Sequence, residues 1–494
     1  MQFAIFAVLF LAVFIPNLMD LGYWPGDAET LIYAAGSLVL AGLFTGLAKI
    51  HKVVGRILIA ILIYWIVDSY FLDKALVPIL IGLGICLLMH TRLENSVRPM
   101  ILVFGLVFVL SSMIAGTRPL LTQETVAAED AAPAATTPAS PPIVHIVLDE
   151  FMSPTAAARI GMLDAALAQK VTDDYISRGF RVFGAARSVA GSTRVSVSNL
   201  LGLGDQTQPF DYNTEQSRRN GVEYNMVKEN RWVQRLKSLG YRITTISTSY
   251  IDLCSKGVDE CYSYRANGEG HSMTRFAGSL LQRAVFPLLV MDFHYYNKGH
   301  IGKVALYRLF SKPLKNAGFK PIPRGFQLRA GSALAVMDEL QKRVMDLKPG
   351  QAYFAHVLMP HNPYIVNEDC SLKPLSEWTL QNYDKSDASD AERYQGFAKQ
   401  MACTHKRALE IVDTILASPS GKNAMIFIHG DHGSRIMKQA KRIKPDSDLP
   451  PEVISDALDP LFVVRIPGVA EPGLDETPVV MQAQFRDLFL KATE

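Results

Sequence analysis

Before residue 117 the chain carries five apolar runs nearly free of charge, at 3–19, 31–47, 57–72, 76–89 and 100–115. Crossing a hydrocarbon core takes about 20 residues, so the third and fourth runs span only by borrowing flanking Tyr, Val and Ala residues or by tilting little. The apolar positions show no 3.6-residue face, which argues against the buried helices of a soluble bundle. The first run lacks a basic start and an A-x-A-like exit, and so reads as a retained span rather than a cleaved signal. Beyond residue 142 the pattern changes. Strand-like segments at 143–148, 242–247, 353–358, 424–429 and 461–466 alternate with helix-like ones at 228–239, 328–345, 391–416 and 482–490. That alternation predicts an α/β domain with a mainly parallel central sheet between helix layers.

Charge orients the apolar part, because Lys and Arg stay on the cytoplasmic side of short loops. Lys49, Lys52 and Arg56 follow the second run, and Arg92 and Arg98 follow the fourth. Asp20, Asp27, Glu29, Asp68 and Asp73 fall on the other side. An inside amino terminus and five spans then deliver everything after Thr117 outside the cytoplasm. Residues 126–142 are almost entirely Ala, Pro, Thr, Ser and acid, a composition that cannot bury enough apolar surface to order itself. The expected organisation is a transmembrane part at 1–116, a juxtamembrane segment and linker at 117–142, and a catalytic-size domain at 143–494.

Composition excludes other classes. With 49% hydrophobic and 20% charged residues the chain is not disordered. A net charge of +3 without a dense basic face excludes a nucleic-acid partner. Cys86 lies in a span, while Cys254, Cys261, Cys370 and Cys403 lie in the globular part, an even number. Cys254 and Cys261 bracket a short polar loop, while Cys370 sits in a loop and Cys403 in a helix, and the pairs 254 with 261 and 370 with 403 are expected outside the cytoplasm, free thiols being the alternative.

In parallel sheets ligands collect at the carboxyl ends of strands. The strand at 143–148 ends in Asp149-Glu150, and the strand at 424–429 ends in Gly430-Asp431-His432-Gly433. Carboxylates and an imidazole on such ends supply the oxygen and nitrogen ligands that Zn or Mn accepts, although an acid ending a strand also serves as a helix cap or a solvated loop residue. A third segment reads Gly191-Ser192-Thr193-Arg194-Val195-Ser196-Val197-Ser198-Asn199-Leu200-Leu201-Gly202.

Together the three segments resemble the alkaline phosphatase superfamily in its sulfatase-like branch. Sulfatases carry C-x-P-S-R-x-S-L-L-T-G, which slides onto this chain with Thr193 on the nucleophile and Ser196 on the serine. Phosphoethanolamine transferases carry G-T-x-T-A-x-S-V-P, which also lands on Thr193. In plan the resemblance covers the whole chain, since lipoteichoic acid synthase and lipid A phosphoethanolamine transferase have five spans before an extracytoplasmic catalytic domain. It implies one or two divalent ions, Zn by one branch and Mn by the other, held by Asp149, Thr193, Asp431 and His432. Glu150 is a candidate second acid. His361, in His361-Asn362-Pro363-Tyr364, matches the H-x-P-Y element that contacts the transferred group. His356 matches a histidine of the phosphoethanolamine branch and equally suits a core position, while His145 and His429 read as core packing. Arg194, Lys438 and Lys441 are candidate cations.

The implied reaction is attack by Thr193 on the phosphorus of a membrane phospholipid, departure of diacylglycerol, and delivery of phosphoglycerol or phosphoethanolamine from a phosphothreonine to a hydroxyl of an envelope glycan, lipid or polymer. A phosphodiesterase or phosphatase, in which water takes that role, is the alternative, and a non-catalytic membrane scaffold is the third. Three departures bear on this. No Cys stands at 193, so formylglycine cannot form and sulfate-ester hydrolysis is not expected. Gly430 and Ser434 replace the serine and glutamate that commonly flank Asp-His-Gly. No histidine follows His432, which leaves phosphoglycerol at least as consistent as phosphoethanolamine.

Overall fold

The apolar runs form helices in the structure, a computed structural model that describes residues 1–20, 23, 25–70, 76–89, 91, 93–117, 140–203, 214–219, 222–248, 251–254, 256–264, 280, 329–373, 389–437, 440 and 448–494. Most of the linker (118–139), together with Asp73, Arg92, Lys438 and Lys441, lies outside the described residues. The chain divides into two compact units, one holding the amino-terminal helices and the other the sheet.

The helical unit contains α1 (Gln2–Asp20), α2 (Ala28–Ile50), α3 (Lys52–Tyr70), α4 (Leu76–Leu88) and α5 (Glu94–Thr117). Helix α1 is central, packing on α2, α3 and α5, with the rings of Phe6 and Phe10 edge-on to Phe44. Glycines let the helices approach: a Cβ on Gly55 would strike Ala48, and one on Gly105 would strike Val8. By length and composition, two helices among the described residues are able to cross a membrane, Ala28–Ile50 and Asn95–Met113, while Gln2–Pro16 is a shorter apolar helix. The five-span expectation is therefore met for two of the five runs by this measure.

The second unit is built on an eight-stranded sheet of β1 (Ile143–Leu148), β2 (Arg181–Phe183), β6 (Arg242–Thr248), β8 (Glu260–Tyr264), β9 (Gln351–Val357), β10 (Met425–Gly430), β11 (Phe462–Arg465) and β12 (Gly473–Asp475). Their order is β12-β2-β11-β10-β1-β9-β6-β8. Only β11 runs antiparallel to its neighbours. Shorter pairings join β3 (Ala186–Arg187) to β13 (Val479–Val480) and β4 (Thr214–Arg219) to β5 (Val222–Val227) and β7 (Ile251–Asp252). Every residue of β1 and β10 is buried, as expected of strands covered on both faces.

The helices of this unit are α6 (Pro154–Arg159), α7 (Ala165–Ile176), α8 (Thr193–Gly202), α9 (Arg231–Ser238), α10 (Arg329–Val344), α11 (Asp390–Ala417), α12 (Pro451–Leu458) and α13 (Met481–Ala492). Trp232 of α9 and Phe485 and Phe489 of α13 share one core with Val147, Phe354, Phe427 and Phe462 of the sheet. Helix α10 packs on β6 and β9 with α11 against it. A full capping box, Ser389 with Glu392, starts α11. His145 of β1 and His429 of β10 meet at 2.7 Å between their Nε2 atoms, enclosed by Trp232, Phe354, Phe427 and Phe485, so both belong to the core.

The disulfides are Cys254–Cys261 and Cys370–Cys403, the pairs expected from the sequence.

Candidate active site

Register places the acids. Strand β1 pairs in parallel with β10 so that Leu148 lies opposite Gly430, and with β9 so that Val147 lies opposite His356. Asp149 and Asp431, the next residues on β1 and β10, therefore leave the sheet side by side at its carboxyl edge. The N–H of Asp149 donates to Val357 O at 2.9 Å, continuing the ladder one residue further. Gly430 admits the crossing chain, since a Cβ there would meet the carbonyl of Phe151, and Gly433 likewise faces the carbonyl of Asp456.

Thr193 opens α8 and is buried, and its hydroxyl donates to Asp149 Oδ2 at 3.3 Å. His432 Nε2 stands 3.4 Å from the same hydroxyl oxygen and 3.1 Å from Asp431 Oδ2. The preceding Ser192 is the helix cap by backbone position but makes no side-chain cap bond, so this Ser/Thr cluster does not act as a conventional cap.

The lone pairs of these groups converge. Asp431 Oδ1 accepts two backbone N–H groups, from Glu150 and His432, each at 3.0 Å, leaving Oδ2 without a donor. His432 Nδ1 contacts Gly433 O at 2.8 Å, which assigns its hydrogen there and leaves Nε2 as a lone pair. Asp149 Oδ1 is buried without a donor as well. One ligand atom from each of Asp149, Asp431 and His432 lies within 4.8 Å of the others, all three side chains fully buried. Buried acceptors facing one another are stabilised only by a cation or a proton between them. The carbonyl-held imidazole is the usual support of a metal-ligating histidine. The residues fit a divalent ion bound by oxygen and nitrogen.

The electrostatics agree. Burial alone would raise the Asp149 carboxyl, but the imidazoles of His361, His356 and His432 outweigh it and hold the group well below the usual carboxylate range. Asp431 is raised by burial and by the charge of Asp149 beside it. His432 is lowered by burial and by Arg435.

The remaining candidates fall around this centre. His356 is fully buried on β9 with Nε2 3.4 Å from Asp149 Oδ2, so it faces the site rather than the core. His361 is partly exposed, its Nδ1 2.5 Å from Asn362 O and its Nε2 3.6 Å from Glu150 Oε1. Asp149, Glu150 and His361 form a second group with ligand atoms within 4.8 Å. Glu150, however, is already ion-paired to Arg435 and accepts the N–H of Asn362 at 3.3 Å. Ser196 points to the carbonyl of Asp431, to which its hydroxyl donates at 2.5 Å. Arg194 is half-buried at the second residue of α8.

Two residues give no signal in the sequence. Arg435 bonds both Glu150 and Gly191 O (3.0 Å), tying two segments of the site together. Arg435 and Glu150 both hold positive φ, 53° and 65°, a conformation that costs non-glycine residues about 1–3 kcal/mol and clusters at functional sites. Gln400 of α11 is fully buried and grips the His361 loop. Its Nε2 donates toward the carbonyls of Pro360, His361 and Pro363, and its Oε1 accepts from Ile365 and Val366. The disulfide from Cys403, one turn further along α11, holds the end of the same loop at Cys370.

No protein-family model matches the chain, and no curated protein matches it. Solved structures similar to it include the C-terminal periplasmic domain of EcEptC from Escherichia coli in complex with Zn, at 10% identity over 72% of this chain and 82% of that one, with a TM-score of 0.39. A phosphonate monoester hydrolase of Agrobacterium radiobacter is 11% identical over 71% and 73%, with a TM-score of 0.41. A putative sulfatase from Bacteroides thetaiotaomicron is 10% identical over 72% and 71%, with a TM-score of 0.39.

Proposed function

We propose that the chain is a metal-dependent, membrane-anchored transferase that moves a phospholipid-derived head group, phosphoglycerol or phosphoethanolamine, to a hydroxyl of an envelope glycan, lipid or polymer. The observation that carries this reading is the Thr193 hydroxyl, buried within 3.4 Å of Asp149 Oδ2 and His432 Nε2, where only acceptor atoms converge. Asp149, Asp431, His432 and Thr193 would hold the ion, Zn or Mn by the chemistry of the donors. A bound divalent ion supplies Lewis acidity, which favours the threonine alkoxide and charge on phosphoryl oxygens.

The chain's own groups do the rest. The Thr193 proton passes toward Asp149 Oδ2 as Oγ1 bonds phosphorus, and the bond from phosphorus to the diacylglycerol oxygen breaks. His361, at the open side, protonates the departing oxygen. The resulting phosphothreonine keeps the head group until an acceptor hydroxyl, giving its proton to His361, attacks phosphorus; the bond from phosphorus to Oγ1 breaks and Oγ1 takes back the proton held at Asp149. The α8 amino terminus, where Thr193 is the first residue, carries the positive end of the helix dipole and favours the phosphoryl charge throughout.

A membrane anchor, five spans by the sequence reading, would keep the chain on the membrane that carries its lipid donor. Supporting it are two helices of spanning length, outward-facing Val39, Leu43, Val103 and Val107 that suit lipid, and two disulfides that suit a periplasmic location. The test is the mass of the Thr193 peptide from protein purified out of membranes. A phosphoglycerol or phosphoethanolamine adduct, absent in Thr193→Ala, is expected. Release of free head group with no acceptor conjugate would favour the hydrolase instead.

A further inference from the structure

A buried polar network lies behind the proposed centre, and none of the reacting groups uses it. Gln482, the second residue of α13, has no exposed surface. Its Oε1 sits 3.1 Å from the N–H of Val189, which can only donate, and this fixes the orientation of the amide. Its Nε2 then directs two hydrogens at Ser196 Oγ (2.9 Å) and Ser188 Oγ (3.0 Å). Each serine, having accepted, spends its single hydrogen onward, and the carbonyl of Asp431 receives both, at 2.5 Å from Ser196 and 2.7 Å from Ser188. Both lone pairs of that carbonyl are filled. The amide thus sets the direction of the bonds to the two serines, and Asp431 O, at 2.7 Å, is the nearest of three acceptors around the Ser188 hydroxyl, ahead of Ala190 O at 3.0 Å and Ser196 Oγ at 3.1 Å.

We infer that Gln482 is a positioning residue that fixes Asp431 against the Thr193 helix. Ser196 stands three residues after Thr193, one turn along α8, and Asp431 carries the donor-free Oδ2 of the centre. Through two hydroxyls, one amide sets the spacing between the nucleophile's helix and the end of β10. The network bonds the backbone carbonyl of Asp431 and not its carboxylate, so its effect runs through the backbone of Asp431. Support of this kind is typically worth about 10–100-fold in metal affinity or activity. This inference rests on the proposed metal-binding role of Asp431.

The experiment titrates the detergent-purified full chain, stripped of metal, with Mn2+ alone and Zn2+ alone by calorimetry, and records Tm and, with phosphatidylglycerol vesicles, kcat and KM. Gln482→Met keeps volume but removes the donors, while Gln482→Glu reverses their polarity. For Gln482→Met the expected result is metal affinity weaker by about 10-fold or more and a fall in kcat with KM little changed. Gln482→Glu should be weaker still, since both hydroxyls would turn away from the Asp431 carbonyl. If these variants do not accumulate, Ser188→Ala with Ser196→Ala removes the same two donors and is expected to give the same loss, with either single change milder. A lower Tm with metal affinity and kcat within two-fold of wild type would overturn the inference. Failure of the wild-type chain to bind either metal would instead overturn the reading of the centre itself.

Discussion

His432 Nε2 faces Asp431 Oδ2 across 3.1 Å, and the bond from Nδ1 to Gly433 O leaves a lone pair on each of the facing atoms. Without a cation between them the contact is unfavourable. Adding Mn2+ or Zn2+ to metal-stripped protein should therefore raise Tm, by the equivalent of about 2.7 kcal/mol at a hundred times Kd. Asp431→Asn, which replaces one lone-pair set by an amide donor, should abolish most of that rise. Calorimetric scans with and without metal decide it, and equal shifts in both proteins would refute metal binding here.

Removing the proposed nucleophile separates chemistry from binding. Thr193→Ala should reduce head-group transfer by roughly three orders of magnitude or more. It should leave a good part of the metal-induced rise in Tm, because Asp149, Asp431 and His432 remain. Turnover assays with radiolabelled phospholipid, alongside the same thermal scans, check both halves.

The Glu150–Arg435 pair is buried on the Glu150 side, whose carboxylate has no exposure. Arg435→Met should destabilise by about 3–5 kcal/mol, the usual cost of leaving one buried charge alone. The double change with Glu150→Gln should recover much of it. Denaturant unfolding of the four proteins in the cycle gives the coupling, and additive losses would show that the two residues act independently.

The His145–His429 pair makes a pH prediction. Burial pushes both imidazoles down, His145 well below its ordinary value and His429 to about 4. A folded-state value below the unfolded one means that stability is complete above about 6.5 and drains away as the pH falls toward about 4. For His429 alone the full loss is on the order of 3 kcal/mol. Replacing both by leucine should flatten this acid limb, and unfolding curves between pH 7.5 and 4.5 measure it.

How much of this the sequence discloses depends on what each residue's role requires. Largely apolar strands such as Ile143–Leu148 and Met425–Gly430 are legible, since burial on both faces leaves a single polar side chain, a histidine, in each. Glu260–Tyr264 and Arg181–Phe183 form strands without announcing them, one being mixed in polarity and the other three residues long. Asp149, Thr193, Asp431 and His432 stand in short motifs whose chemistry is visible locally. Arg435, Gln400 and Gln482 are not visible, because an amide or guanidinium acquires its role only from the carbonyls and hydroxyls that tertiary packing brings to it. Arg194, Lys438 and Lys441 stand as candidate cations in the sequence, while the cation bonded to Glu150 and to Gly191 O is Arg435.

The level pairing of Leu148 with Gly430 leaves the molecule little tolerance for length changes. Deleting one residue from either strand would draw its acid back by about 3.3 Å and turn it to the opposite face, so core and catalytic centre would be lost together. Deleting two would restore the facing but leave the acids about 6.6 Å out of step, too far for one ion to reach both. Insertions are therefore survivable only in the connecting loops, and the distance between the acids should outlast almost any other change to this chain.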